Sequence, residues 1–298
     1  MKNTVFAGSG VAVVTPFNRG KVDFEALDRI LQYHLDNLTD AIIVCGTTGE
    51  SCTLADDEHL KVIEFAVKKV NGSVPLIAGT GSNDNAHAVD FTKEAERLGA
   101  DAVLLVTPYY NKATQKGLVA HYSKIADCTG LPCILYNVPS RTGTDILPET
   151  VKILSEIDNI VAIKEATGNI ARTLEIRALC GDNIDIYSGN DDIIVPMLAA
   201  GSKGVISVMA NIAPRDVHNM IKMYLDGDRE EALKLQLKMQ PVISALFCEV
   251  NPIPIKTAMN MLGLCSGELR LPLCEMEDKN AARLRKALVD YGFEIKHA

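Results

Sequence analysis

Residues 160–168 read Ile160-Val161-Ala162-Ile163-Lys164-Glu165-Ala166-Thr167-Gly168. A short apolar, β-branched run ends directly in a lysine, then in small and polar residues. Strand alternation sets Val161 and Ile163 on one side, with Ala162 and Lys164 on the other, and the small Ala162 leaves room beside the long lysine. An amine held at the end of an apolar strand loses hydration, which lowers its pKa and frees its lone pair to attack a carbonyl. The competing reading is a lysine that snorkels to solvent and pairs with Glu165.

The same unit, an apolar run followed by a helix-like run, recurs about every 25 to 30 residues along the chain. The strand candidates are Val11–Val14, Ala41–Val44, Pro75–Ala78, Ala102–Val106, Cys133–Tyr136, the Lys164 strand, Asp185–Ser188 and Gly204–Ser207. Between them, Phe24–Leu38, Asp57–Val70 and Ala86–Leu98 read as amphipathic helices. Pro148 fits a first helical turn, and Pro214 opens the helix after the eighth strand. Eight near-continuous apolar strands, each followed by a helix, predict an α/β fold, a closed parallel (β/α)₈ TIM barrel. An open doubly wound sheet is the alternative, but Thr15-Pro16-Phe17 follows the first strand where a dinucleotide fold would carry Gly-x-Gly-x-x-Gly. The barrel is used up near residue 225, so 1–225 is expected to be the catalytic barrel. Residues 226–298 are expected to be a C-terminal helical extension packed on it. Helical periodicity appears there in Arg229–Phe247, Pro254–Leu262 and Asp278–Tyr291, while Gly263–Pro272 is the loosest part of the sequence.

A chain of 298 residues with 47% apolar and 23% charged residues has the composition of an ordinary globular protein. Its net charge of −8 and the lack of any long Lys/Arg cluster argue against nucleic acid as a partner. No secretory h-region and no stretch of about 18 apolar residues is visible, so membrane partners are not expected. The eight cysteines, at positions 45, 52, 128, 133, 180, 248, 265 and 274, lack C-x-x-C spacing. They read as reduced core thiols of a cytoplasmic protein. His34, His59, His87, His121, His218 and His297 lack metal-ligand spacing, so neither a metal nor a cofactor is expected. Asp191-Asp192 reads as a cap for the helix after the seventh strand.

Active sites of such barrels lie at the C-terminal strand ends. Strand two ends in Gly46-Thr47-Thr48-Gly49-Glu50, and strand four in Thr107-Pro108-Tyr109-Tyr110-Asn111. Strand five ends in Tyr136-Asn137-Val138-Pro139-Ser140-Arg141-Thr142-Gly143. Glycines flanking paired threonines let backbone N–H groups and hydroxyls converge on an anion. Tyr136 shares the parity of Ile134 and so points into the barrel one strand from Lys164, where a phenol can move protons. Arg141 offers a planar fork for a carboxylate. Amine, proton relay, anion cradle and carboxylate clamp suit Schiff-base chemistry on an oxo acid. Each also has a plainer reading: a strand-to-helix turn, a packed tyrosine, a surface arginine.

Together these motifs resemble the dihydrodipicolinate synthase family, within the pyruvate-dependent class I aldolase superfamily that also holds N-acetylneuraminate lyase. The resemblance runs from Gly8-Ser9-Gly10 through Gly204–Asn211 to Pro252-Ile253-Pro254-Ile255-Lys256. It implies a lyase of the diaminopimelate/lysine biosynthesis pathway, condensing pyruvate with L-aspartate-4-semialdehyde to 4-hydroxy-tetrahydrodipicolinate through an imine on Lys164. Tyr136, Thr47 and Tyr110 match the family's proton relay, Tyr110 reaching into a neighbouring subunit. Thr48 matches the residue that binds the pyruvate carboxylate, and Arg141 the one that binds the semialdehyde carboxylate. Gly189 and Ile206 match backbone positions lining the pocket. A homotetramer built from tight dimers is implied, with Tyr109-Tyr110 at the tight-dimer contact. Ser51, His59, Asn83 and Tyr109 match a lysine-effector cleft, but Asp56 stands where regulated members often carry histidine and His87 where they carry glutamate. A superfamily lyase acting on a longer sugar acid is the alternative, which the presence of Arg141 disfavours. A barrel kept as a non-catalytic ligand-binding protein is the more distant one.

Overall fold

Strands walled on both faces can carry apolar residues throughout, and that is how the runs read above are used. In the computed structural model, which describes residues 2–297, eight parallel strands close into a ring. They are β1 (Gly8–Ala12), β2 (Ala41–Val44), β3 (Leu76–Gly79), β4 (Ala102–Val106), β5 (Cys133–Asn137), β6 (Ile160–Glu165), β7 (Asp185–Ser188) and β8 (Gly204–Ser207). Neighbours in sequence pair in space, and β8 pairs back onto β1. The alternation sorts side chains into two cores. Ile43, Ile77, Leu104, Ile134, Ala162 and Ile206 fill the barrel interior, while Ile42, Leu76, Val103, Leu135, Ile163 and Val205 pack outward under the helices.

Two local readings are corrected. The first strand begins three residues before the Val11–Val14 run, at Gly8. The reason lies at the seam of the ring, where Gly8 faces Gly204. A Cβ on Gly204 would sit 1.9 Å from the Gly8 carbonyl oxygen, so only residues without side chains close the barrel there. Val13 and Val14 continue past the ladder, their N–H groups donating to the Ile43 carbonyl at 2.9 Å and to Asn211 Oδ1 at 3.3 Å. The second correction is in β6. Cys133 pairs with Ile160 but Ile134 pairs with Ala162, which makes Val161 an extra, bulged residue. Val161 therefore joins the inner core instead of sharing the outer face of Ile163. Beyond the bulge normal alternation resumes, and Lys164 keeps its inward parity opposite Tyr136.

The helices Phe24–Asp36, Asp56–Val70 and Asn85–Leu98 stand within two residues of their expected bounds. Pro148 and Pro214 each occupy a first turn. After the helix Pro214–Leu225 come three more, Arg229–Leu246, Ile253–Met261 and Asp278–Tyr291. Polar contacts tie these to the barrel mouth. Lys256, fully buried, meets the Glu50 carboxylate at 2.5 Å and also donates to the Glu268 carbonyl at 2.7 Å. Arg270 grips Glu58 with two guanidinium nitrogens at 2.6 and 2.7 Å, and its backbone N–H donates to Glu50 at 3.2 Å. Both cations lie over the Phe17 ring, Lys256 Nζ at 4.0 Å and the Arg270 guanidinium at 4.3 Å from its centroid. The stretch Gly263–Pro272 has no regular structure, yet Glu268 accepts from the N–H groups of Arg19 and Gly20 at 2.8 and 2.6 Å. It is irregular but tethered.

Among the cysteines, 45, 133, 180 and 265 are buried while Cys52 and Cys274 are exposed, so the core-thiol reading holds for only part of the set. Burial pushes the Cys45 thiol well above its ordinary pKa, which works against a reactive thiolate there. Among the described residues, no helix is long and apolar enough to cross a membrane, and no group of three or more His, Cys, Asp or Glu could hold a metal ion.

The Glu50–Lys256 pair yields a stability prediction. Lys256→Ala leaves the buried Glu50 carboxylate without its cation and should lower the free energy of urea unfolding by about 3–5 kcal/mol. The double substitution Glu50→Leu/Lys256→Met should recover most of that loss. A single variant as stable as wild type would mean that the pair contributes nothing to docking the extension.

Candidate active site

Lys164 and Tyr136 are direct cross-strand partners on β6 and β5. Both are 6% exposed, and Lys164 Nζ lies 4.3 Å from the centroid of the Tyr136 ring. The amine makes no ion pair among the described residues. Glu165, its sequence neighbour, faces the other way: its carboxylate accepts from Thr167 N–H at 2.8 Å and Asn137 Nδ2 at 3.1 Å, and lies 3.5 Å from Arg172. The pairing of Lys164 with Glu165 in the competing reading does not occur.

That outward network fixes the loop carrying Arg141. Asn137 donates to Asp145 Oδ1 at 2.9 Å and accepts from Ile146 N–H at 3.0 Å, while Arg172 closes the ring by pairing with Asp145 at 3.0 Å. The loop from Val138 to Ile146 is therefore pinned at both ends. Arg141 stands exposed on it and donates to the Asn251 carbonyl at 3.1 Å. Asn251 Nδ2 donates to Thr48 Oγ1 at 3.0 Å, so one residue of the C-terminal segment ties Arg141 to the paired threonines.

The cradle is held from beneath. Thr15 donates to the Gly49 carbonyl at 2.7 Å, and Glu50 anchors to Lys256. Cys45 and Glu50, on either side of the Gly46–Gly49 turn, both adopt positive φ, at 55° and 53°. Strained non-glycine backbone of this kind persists only where the surroundings over-determine it. The β3 end comes so close that a Cβ on Gly79 would lie 2.2 Å from the Cys45 carbonyl oxygen. Thr48 is 3% exposed, and Thr47 is half-buried.

On the far side of Lys164, Gly189 donates its N–H to the Glu165 carbonyl at 2.7 Å. A Cβ there would approach Ala166 Cβ to 2.5 Å, so glycine is what lets the β7 end lie against β6. Ile206 is buried in the inner core. Asp191 is also buried, but it does not cap its own helix. Its Oδ2 accepts from the N–H groups of Val208 and Met209, each at 2.9 Å, which caps the turn after β8 instead. The sequence spacing gave no sign of this, because the capped turn lies on the neighbouring strand.

A cavity of about 290 Å³ opens beside this centre. Thr47, Tyr136 and Arg141 line it together with Ser51, His59, His87 and Tyr109. Asp56, exposed at the start of its helix, and the half-buried Asn83 lie outside that lining. Lys164, Thr48, Gly189 and Ile206 lie outside it too. His59 bonds the Gly79 carbonyl through Nε2 at 2.8 Å, and burial pulls its pKa down to about 4. His87 stacks on Phe91 with centroids 4.2 Å apart. Tyr110 is set apart from all of these, 89% exposed with φ at 74°.

Residues 5–290 match the profile of the Dihydrodipicolinate synthetase family. A 4-hydroxy-tetrahydrodipicolinate synthase of Caldicellulosiruptor saccharolyticus is 58% identical over 98% of this chain and 99% of its own. A dihydrodipicolinate synthase crystal structure from Aquifex aeolicus superposes with a TM-score of 0.96 at 48% identity, covering 98% of this chain and 100% of that one. A chloride-inhibited dihydrodipicolinate synthase from Acinetobacter baumannii, solved in complex with pyruvate, gives 0.95 at 43% identity over 98% and 100%. A structure described as a monomeric dihydrodipicolinate synthase variant gives 0.95 at 41% identity over 97% and 98%.

Proposed function

The chain belongs to the dihydrodipicolinate synthetase family, and on that premise we propose how its barrel mouth condenses two carbonyl compounds through Lys164. The activity is that of a 4-hydroxy-tetrahydrodipicolinate synthase, a lyase that joins pyruvate to L-aspartate-4-semialdehyde in lysine biosynthesis. The observation that carries the residue assignment is the buried Lys164 amine, unpaired and 4.3 Å from the Tyr136 ring.

Lys164 Nζ attacks C2 of pyruvate, water leaves, and a cationic iminium remains. Loss of a methyl proton gives the enamine, whose carbon attacks the aldehyde of the semialdehyde. The semialdehyde's own amine then displaces Lys164 from C2, closing the ring and restoring the lysine. Tyr136 and Thr47 move the protons, and Thr48 holds the pyruvate carboxylate. Gly189 and Ile206 shape the wall by their backbone. Arg141, already aimed by Asn251, receives the semialdehyde carboxylate as a planar fork.

Tyr110 completes the relay from a neighbouring subunit of a tetramer built from tight dimers. Its 89% exposure leaves the ring free to reach a neighbouring copy. The cavity lined by Ser51, His59, His87 and Tyr109 corresponds to an effector cleft, while Asp56 and Asn83 stand outside its lining. There His87 puts a stacked imidazole where an anion would be needed for the α-ammonium of L-lysine.

Borohydride added with pyruvate should leave a reduced pyruvyl group on the peptide containing Lys164. Labelling elsewhere, or none with active enzyme, would sink the mechanism. Tyr136→Phe should slow turnover by about 10²–10⁴-fold with trapping intact. Tyr110→Phe should also lower turnover at unchanged thermal stability, and a dilute, verified monomer with full activity would remove Tyr110 from the relay. L-lysine should inhibit weakly or not at all, because losing one charge-assisted bond of roughly 1.5–3 kcal/mol weakens binding about ten- to a hundredfold. Cooperative inhibition at submillimolar lysine would contradict this, whereas sensitivity gained in His87→Glu would support it.

A further inference from the structure

Behind Tyr136 and Lys164, on the outer face of the same strand ends, lies a second cross-strand pair. Asn137 and Glu165 stand opposite each other, one residue further along each strand. Asn137 Nδ2 donates to Glu165 Oε2 at 3.1 Å and to Asp145 Oδ1 at 2.9 Å, so one amide nitrogen spends both its hydrogens on two carboxylates. Arg172, in the first turn of the helix Ile170–Cys180, brings the positive charge they share. Its Nη2 pairs with Asp145 at 3.0 Å and also donates to the Ile146 carbonyl, while Nε stands 3.5 Å from Glu165 Oε2. Among the described residues, no other cation pairs with either carboxylate.

The side chains of Glu165 and Arg172 are 1% and 13% exposed, that of Asp145 35%, so water screens these charges poorly and most of all at Glu165. Asp145 ends the loop that carries Arg141 in its short helix, Pro139–Thr142. Neutral bonds also hold that end: Ile146 N–H donates to Asn137 Oδ1 at 3.0 Å, and Gln115 Nε2 to the Asp145 carbonyl at 2.7 Å. They keep the chain folded but do nothing to offset two negative charges. Among the described residues, the Arg141 side chain makes one hydrogen bond, to the Asn251 carbonyl at 3.1 Å, so its fork follows the loop.

We propose that Arg172 is a positioning residue for the second substrate: by holding Asp145 against Glu165 it sets the loop that aims Arg141 at the semialdehyde carboxylate. The inference rests on the role given to Arg141 above. Without the guanidinium, two carboxylates remain on one amide nitrogen, and their repulsion is unopposed. Glu165 is fixed in β6 and by the Thr167 N–H at 2.8 Å, so the more exposed Asp145 is the one that moves. It lies four residues from Arg141 and takes the loop with it. Lys164 stays where β6 holds it, so the loss falls on the semialdehyde and spares pyruvate.

The test is Arg172→Met, which keeps an apolar stem and removes the charge. The KM for L-aspartate-4-semialdehyde should rise about 10- to 100-fold, the scale of a misplaced binding group. The KM for pyruvate and the borohydride trapping of pyruvate on Lys164 should stay at wild-type values. Arg172→Met/Asp145→Asn removes the repulsion along with the cation and should bring the semialdehyde KM most of the way back, which a general loss of packing would not do. Arg172→Lys keeps a charge and should fall between wild type and Arg172→Met; with the double variant it carries the comparison if Arg172→Met does not fold. An unmoved semialdehyde KM, an equal rise for pyruvate, or a double variant no better than the single one overturns the inference. Arg141→Met is the control for the underlying role: if it leaves the semialdehyde KM unchanged, the assignment of Arg141 falls, and the inference with it.

Discussion

A parallel sheet closed on itself leaves its inner face only two exits, the two mouths of the barrel, and the rest of the structure follows from that constraint. Everything pointing inward must be apolar and interlocking, except at the strand ends where the wall opens. Tyr136 and Lys164 are inward residues at such an end, and the parallel register sets them directly opposite each other. The register is fixed before either side chain is chosen, because a one-residue slip would turn every inner residue outward. The pairing of phenol and amine is thus inherited from barrel closure, and no local motif is needed to bring them together.

The parts of the fold that were legible in the sequence are those set by local periodicity. Ala41–Val44 and Ala102–Val106 are uninterrupted apolar runs, Asp185–Ser188 and Gly204–Ser207 hold an apolar pair between short ends, and all four were readable to the residue. Gly8-Ser9-Gly10 was not, because a glycine in a strand looks like a weak former until one sees that Gly204 presses against it from the other end of the chain. The bulge at Val161 was illegible for the same reason. It is a property of the pairing between β5 and β6, and neither strand carries it alone.

The candidate site divides along the same line. Lys164, Tyr136 and Arg141 announce themselves as polar residues at ends of apolar runs. Asn251 does not: it lies in a turn more than 200 positions from Thr48 and 110 from Arg141, and only folding shows that it touches both. Glu50 was visible as part of a turn motif, but its partner Lys256 lies 206 positions away. Asn137, Asp145 and Arg172 could be quoted from the chain but not assigned, since their work is to brace one another. What the sequence withheld, in each case, is the long-range contact that orients a side chain whose identity was already plain.

Burial alone does not separate the two lysines of the barrel mouth. Lys256 is the more deeply buried, at 0% against 6% for Lys164, and burial draws its pKa down. By that criterion it would be the better nucleophile. Its ammonium, however, sits 2.5 Å from Glu50 and 2.7 Å from the Glu268 carbonyl, so its hydrogens are committed and its charge is part of the docking of the extension. Deprotonating it would strand a buried carboxylate. Lys164 has an aromatic face beside it and, among the described residues, no ion pair. An amine without a carboxylate partner keeps its lone pair available to a carbonyl, whereas one locked in an ion pair does not, and that difference in coordination separates the lysine proposed to react from the structural one.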